Sequence, residues 1–144
     1  MHRDIAPVLA ATLRHSLPGI TGGRYRDVIV DPATLQVQVC GESRRWRRAE
    51  RLSYGTGDQI YLLLRIALAD HLTRGHDSCP LILDDVTVHA DSVRTTAILA
   101  LLRQISAQRQ VILFTQEDQV ANWAGEHLTS PDHAVWTLPT LPPD

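Results

Sequence analysis

Leu81-Ile82-Leu83-Asp84-Asp85 sets a short continuous apolar run directly ahead of two carboxylates, the pattern of a buried parallel strand that ends in charge. A second such run, Val111-Ile112-Leu113-Phe114, lies downstream. Between them Asp91 can cap a helix reaching about residue 108, with Val93, Ala97, Ile98, Leu101, Leu102 and Ile105 on its inner face. Residues 117–127 read as another helix, and Ala134-Val135-Trp136-Thr137-Leu138 as a last strand. The order strand, helix, strand, helix, strand predicts an α/β layer with right-handed crossovers.

Upstream of that layer, Ile5, Val8, Leu9, Leu13 and Leu17 recur near helical spacing, with Asp4 as N-cap, Pro7 in the first turn and Pro18-Gly19 as the stop. Val28 and Val30, then Leu35, Val37 and Val39, alternate with polar residues around Asp31-Pro32-Ala33-Thr34, which predicts a β-hairpin. Residues 58–71 form a helix whose apolar positions, from Ile60 to Leu72, are wide enough to be buried on most sides. Gly75 to Ser78 breaks the pattern before the acidic strand.

A chain of 144 residues with 44% hydrophobic content suits a single domain with an ordinary core. The net charge of -2 gives no global field that would hold it on nucleic acid or an anionic membrane, so such binding has to be local. Cys40 and Cys79 lack C-x-x-C spacing, and no apolar run approaches the roughly 20 residues that span a bilayer. A reducing, cytoplasmic setting is expected, with no membrane partner. All 14 basic residues are arginines, so the G-x-x-x-x-G-K-[ST] loop that cradles phosphates is not among these residues. The 7 histidines show no zinc spacing.

Leu52-Ser53-Tyr54-Gly55-Thr56-Gly57-Asp58-Gln59 opens onto the central helix. A Ser-x-Gly turn at such a place presents a hydroxyl, close-approaching backbone N–H groups and the positive end of a helix dipole, and so suits a phosphate. With the acidic strand downstream, this stretch resembles the ABC signature of SMC, RecN, RecF and SbcC-like ATPases, the YhaN-type bacterial members being the nearest match. The resemblance implies the C-terminal half of a P-loop NTPase head, without its Walker A lobe. It covers residues 1–138: 1–17 as the end of a coiled coil or a leading helix, 25–40 as the hairpin, and 52–138 as the signature, Walker B and switch region. Residues 139–144 are expected to be a disordered tail.

The same resemblance implies ATP and Mg²⁺ as cofactors and assigns roles residue by residue. Ser53 and Gly55 would contact the γ-phosphate held by a second head across an ATP sandwich, Thr56 and Gln59 would belong to the same nucleotide-binding set, and Asp91, in the D-loop Val88-His89-Ala90-Asp91, would join that set and help couple the two active sites. Asp84 would serve Mg²⁺, Asp85 would orient water where the family usually has glutamate, and Gln116 would stand at the switch histidine. Glutamine bonds a γ-phosphate through its amide but carries no charge. An ATPase would arise only with a Walker A lobe on the same protein or a separate chain, and isolated the chain would be inactive. The implied setting is DNA repair, recombination, chromosome maintenance or defence.

Two other classes remain open. A non-catalytic module could keep the signature surface to dock on a Walker A-bearing partner. Alternatively, Arg44-Arg45-Trp46-Arg47-Arg48, with Arg51 behind, interleaves an aromatic with cations as a nucleic-acid contact does. The bland reading of that stretch is a solvated hairpin end with Trp46 packed on the domain.

Overall fold

The computed structural model describes residues 5–73 and 79–139. Helix α1 (Ile5–Ile20) leads into strands β1 (Tyr25–Val30), β2 (Val37–Gly41) and β3 (Trp46–Arg48), then a 3-10 turn over Ala49–Arg51 and helix α2 (Tyr54–Leu72). Strand β4 (Leu81–Asp84), helix α3 (Ser92–Ile105), strand β5 (Val111–Phe114) and helix α4 (Asp118–His127) complete it. Among the described residues, β1-β2-β3 form an antiparallel sheet and β4-β5 a parallel pair.

The apolar stripe of α1, with Leu9, Leu13 and Leu17 fully buried, packs with Val28, Val37 and Val39 of the antiparallel sheet. Helix α2 contributes Ile60, Leu62, Leu63, Leu64, Ile66 and Ala67 to that core, which accounts for its broad apolar surface. The in-register pairs Leu81↔Val111 and Leu83↔Leu113 turn the inner face of the parallel pair onto the same cluster. No helix among the described residues is long and apolar enough to cross a membrane.

Several sequence expectations need correction. Pro18 does not stop α1, which runs on to Ile20, because a proline near the end of a helix forfeits one N–H bond without unwinding the residues that follow. The Thr21 hydroxyl then bonds the Leu17 carbonyl at 2.8 Å, and Gly22 and Gly23 carry the chain out at φ 60° and 74°. The expected Asp4 cap, and the break at residues 75–78, lie outside the described residues. The hairpin is a three-stranded sheet, since the arginine-rich stretch pairs as β3 through Gln38↔Arg48, Val39↔Arg47 and Cys40↔Trp46. Helix α3 ends at Ile105.

Two further corrections bear on function. The expected last strand at residues 134–138 does not form: the segment has no ladder partner among the described residues, and Val135, Trp136 and Leu138 stand 56%, 83% and 71% exposed. Alternation alone makes no strand when backbone N–H and C=O groups find no neighbour. Strand β4 is buried on one face only, with Leu81 and Leu83 inside and Ile82 64% exposed. Phe114, at 47%, shares that uncovered outer face. Of the expected tail, residues 140–144 lie outside the described residues.

Candidate functional site

The acids sit at the carboxyl end of the parallel pair, where open α/β sheets bind their ligands. Asp84 is the last residue of β4, exposed, and in register with Phe114. Asp85 continues the ladder by donating its N–H to the Phe114 carbonyl at 2.9 Å, then turns sharply with φ 47°. Aspartate tolerates that left-handed geometry better than most residues. The turn aims its carboxylate at the next strand's exit, where Oδ1 accepts the Gln116 N–H at 3.2 Å. Asp84, Asp85 and Gln116 are therefore brought together, and the Gln116 side chain is exposed.

The second part of the site is the start of α2. The glycine-containing stretch expected as a loop is the first helical turn, because the helix begins at Tyr54 with Ser53 as N-cap residue. Ser53 makes no side-chain cap to the backbone; its Oγ lies 2.8 Å from the Thr56 Oγ1 and its side chain is exposed. Thr56 and Gln59 are each only 2% exposed. They face the interior because helical periodicity places positions 56, 59, 60 and 63 on the buried side of α2. Neither polar atom of the Gln59 amide finds a hydrogen-bond partner among the described residues.

The β4–α3 loop ties the two parts together. A Cβ on Gly55 would lie 2.1 Å from the His89 carbonyl oxygen, so the α2 N-terminus approaches this loop as closely as only glycine permits. The His89 ring lies 4.8 Å, edge-on, from Tyr54, and its Nδ1 is 2.9 Å from an Asp58 carboxylate oxygen. In the same loop Thr87 is fully buried and donates its hydroxyl to Glu117, the residue preceding α4. Asp91 accepts the Arg94 N–H at 2.9 Å and so caps α3, whatever else it does. Tyr54 and Asp58 stand in the signature stretch and His89 beside Asp91, but the sequence assigns no role of their own to these three, nor to Thr87 and Glu117. Separations of 31 and 30 residues for the two side-chain pairs left no local signal.

On the far side of the α2 entrance, the Tyr61 hydroxyl donates to Glu50. Desolvation, reinforced by that hydrogen bond and the carboxylate charge, pushes the Tyr61 phenol up to about 12, and the same bond holds Glu50 below its usual range. No group of three or more potential metal ligands is found among the described residues.

The fold defined by these elements is that of an SMC-type ATPase head. The chain matches a structure described as ATP-driven dimerization and DNA stimulated activation of SMC ATPases with TM-score 0.65, at 14% identity, over 83% of this chain and 73% of that one. The SMC head domain from Thermotoga maritima matches with TM-score 0.60 and 19% identity over 80% of this chain and 40% of that one. The Pyrococcus furiosus Smc head bound to the C-terminal domain of ScpA gives TM-score 0.62 and 15% identity, over 81% and 30%. In sequence, the chain is 33% identical over 122 residues, 83% of its length, to the uncharacterized protein YhaN of Bacillus subtilis strain 168. It spans 12% of that protein's length. No protein-family model matches it. This is a mixed α/β domain with the architecture of half an SMC-like ATPase head, related in sequence to YhaN.

Proposed function

We propose that the chain supplies the signature, Walker B and switch elements of a composite ATPase head, whose Walker A lysine comes from outside these 144 residues. The observation that carries this reading is the convergence of Asp84, Asp85 and the Gln116 amide at the ends of two parallel strands. The donor set suits a magnesium nucleotide: Asp84 offers an exposed hard oxygen at the strand end, and the 19-residue helix α2 offers its positive end with an uncapped Ser53 hydroxyl. When bound with the nucleotide, Mg²⁺ supplies charge neutralisation at the phosphate oxygens.

In this scheme Asp84 holds the metal's water shell. Asp85, fixed by the Gln116 N–H, orients a water and accepts its proton as the water oxygen attacks the γ-phosphorus and the bond to the ADP oxygen breaks. The Gln116 amide bonds the γ-phosphate. Ser53 and the Gly55 backbone face the nucleotide of a second head, with Thr56 holding the serine hydroxyl and Asp91 keeping the loop in place. The uncovered apolar face of Ile82 and Phe114 gives the Walker A lobe a seat against the sheet. A role in DNA repair, recombination, chromosome maintenance or defence follows by analogy with the family.

The test is ATP turnover by this chain assembled with its Walker A-bearing lobe. Asp85→Asn keeps the acceptor for the Gln116 N–H but loses the base, and turnover should fall 10²-fold or more, the scale of general-base catalysis. Ser53→Arg should abolish nucleotide-dependent pairing of heads. Turnover unchanged in both variants refutes the reading. An assembly that forms but never turns over favours the non-catalytic docking module, for which an uncharged Gln116 already argues.

A further inference from the structure

Neither proposed nucleotide site uses the basic edge of the antiparallel sheet, which runs through the 3-10 turn into α2. Arg24, Arg44, Arg45, Arg47, Arg48 and Arg51 are all exposed, and none is in an ion pair with a described residue. Of the carboxylates nearest in sequence, Glu42 faces Arg26 at 3.8 Å, and Glu50 accepts the Tyr61 hydroxyl while also feeling the charge of Arg48. On a chain of net charge -2, this concentration of positive charge is a local field against a negative remainder.

The shape at this place fits one kind of anion. A depression of about 490 Å³ is lined by Gln38, Trp46, Arg47, Arg48 and Arg51. It holds three guanidinium groups, an amide and an indole that is 44% exposed. Arg47 also lines a second depression of about 510 Å³, where Arg24, Arg26 and Arg45 stand with a single carboxylate, Glu42, which faces Arg26. Each is large enough for a nucleotide, and one arginine joins the two into a track across β3, an edge strand whose three residues are all exposed.

We propose that this track binds single-stranded nucleic acid, the guanidinium groups following the phosphates and Trp46 stacking on an unpaired base. Guanidinium groups match phosphate oxygens bidentately, and an open indole face offers an unpaired base what a duplex, with its bases already stacked, does not need. Trp46 is only partly packed on the domain, with 44% of its surface open. The site stands whether or not the ATPase reading does.

Fluorescence anisotropy of a labelled 15-nucleotide oligothymidylate, titrated with the 144-residue chain in 50 mM salt, tests this directly. Arg47→Glu with Arg48→Glu should weaken binding at least tenfold. Trp46→Ala should weaken it severalfold, while Trp46→Phe retains most of it. With about three phosphates neutralised, log K should fall with log salt at a slope of about -2. Thermal melts of each variant establish that it is folded; Arg48→Gln, a milder change on the exposed edge, replaces any variant that is not. Absence of binding, binding indifferent to these substitutions, or equal affinity for the matching duplex overturns the proposal.

Discussion

Replacing Gly55 by alanine tests whether the α2 entrance is built against the β4–α3 loop. In an open helical turn the change would stabilise the chain by up to about 1 kcal/mol, because alanine loses less backbone entropy on folding. Here the added Cβ meets the His89 carbonyl oxygen at 2.1 Å, and the carbonyl carbon at 3.1 Å, so the obstacle is backbone and cannot rotate away. Helix and loop must separate by about 0.9 Å before the contact reaches even 3.0 Å, and that movement pulls on the His89–Asp58 hydrogen bond and the Tyr54–His89 contact. Overpacking of this kind costs about 1–3 kcal/mol, which outweighs the propensity gain. The net expectation is a loss of about 1–2 kcal/mol, or a fall in Tm of roughly 3–6 °C for a domain of this size. Calorimetric melts should compare it with Gly19→Ala, where a Cβ meets nothing within 4 Å in α1, and Gly57→Ala, where the Ala49 carbonyl oxygen lies at 3.0 Å. The expected order of stability is Gly19→Ala, Gly57→Ala, Gly55→Ala. A Gly55→Ala protein as stable as the parent would refute the reasoning.

Alkaline titration should show a late phenol ionisation near pH 12, and Tyr61→Phe should remove that step from the ultraviolet phenolate signal. Because the folded value is raised above 10, the contribution of this phenol is intact below pH 10 and drains away as pH climbs towards 12; Tyr61→Phe should flatten that loss in pH-dependent melts. Leu83→Ala, inside the core, should cost about 2–5 kcal/mol in denaturant unfolding. Ile82→Thr, on the uncovered face one residue earlier, should stay within about 0.5 kcal/mol of the parent while weakening capture of the Walker A lobe. Asp91→Ala should remove the α3 cap and about 1 kcal/mol of stability, and a change much smaller than this would mean that the Asp91–Arg94 bond is not formed in solution.

How much of the protein was legible in its residues follows from the range of the forces involved. Local periodicity and turn chemistry determined α1, the β1–β2 hairpin, α2, β4, α3, β5 and α4 in their order, the Asp91 cap, and the placing of two acids at a strand tip. Those signals act within a few residues along the chain. Tertiary structure decided the rest. Residues 46–48 became β3 because β2 offered a free edge, and residues 134–138 remained unpaired because no strand among the described residues lay beside them. Thr56 and Gln59, which look like signature side chains in sequence, turned inward once the helix began at Tyr54 and fixed the phase of its faces. The close approach of Gly55 to His89, the His89–Asp58 and Thr87–Glu117 bonds, and the clasp of Asp85 on the Gln116 N–H each join residues about 30 positions apart. Contacts at that distance depend on how packed layers bring chain segments together, and no residue pattern of a few positions encodes them.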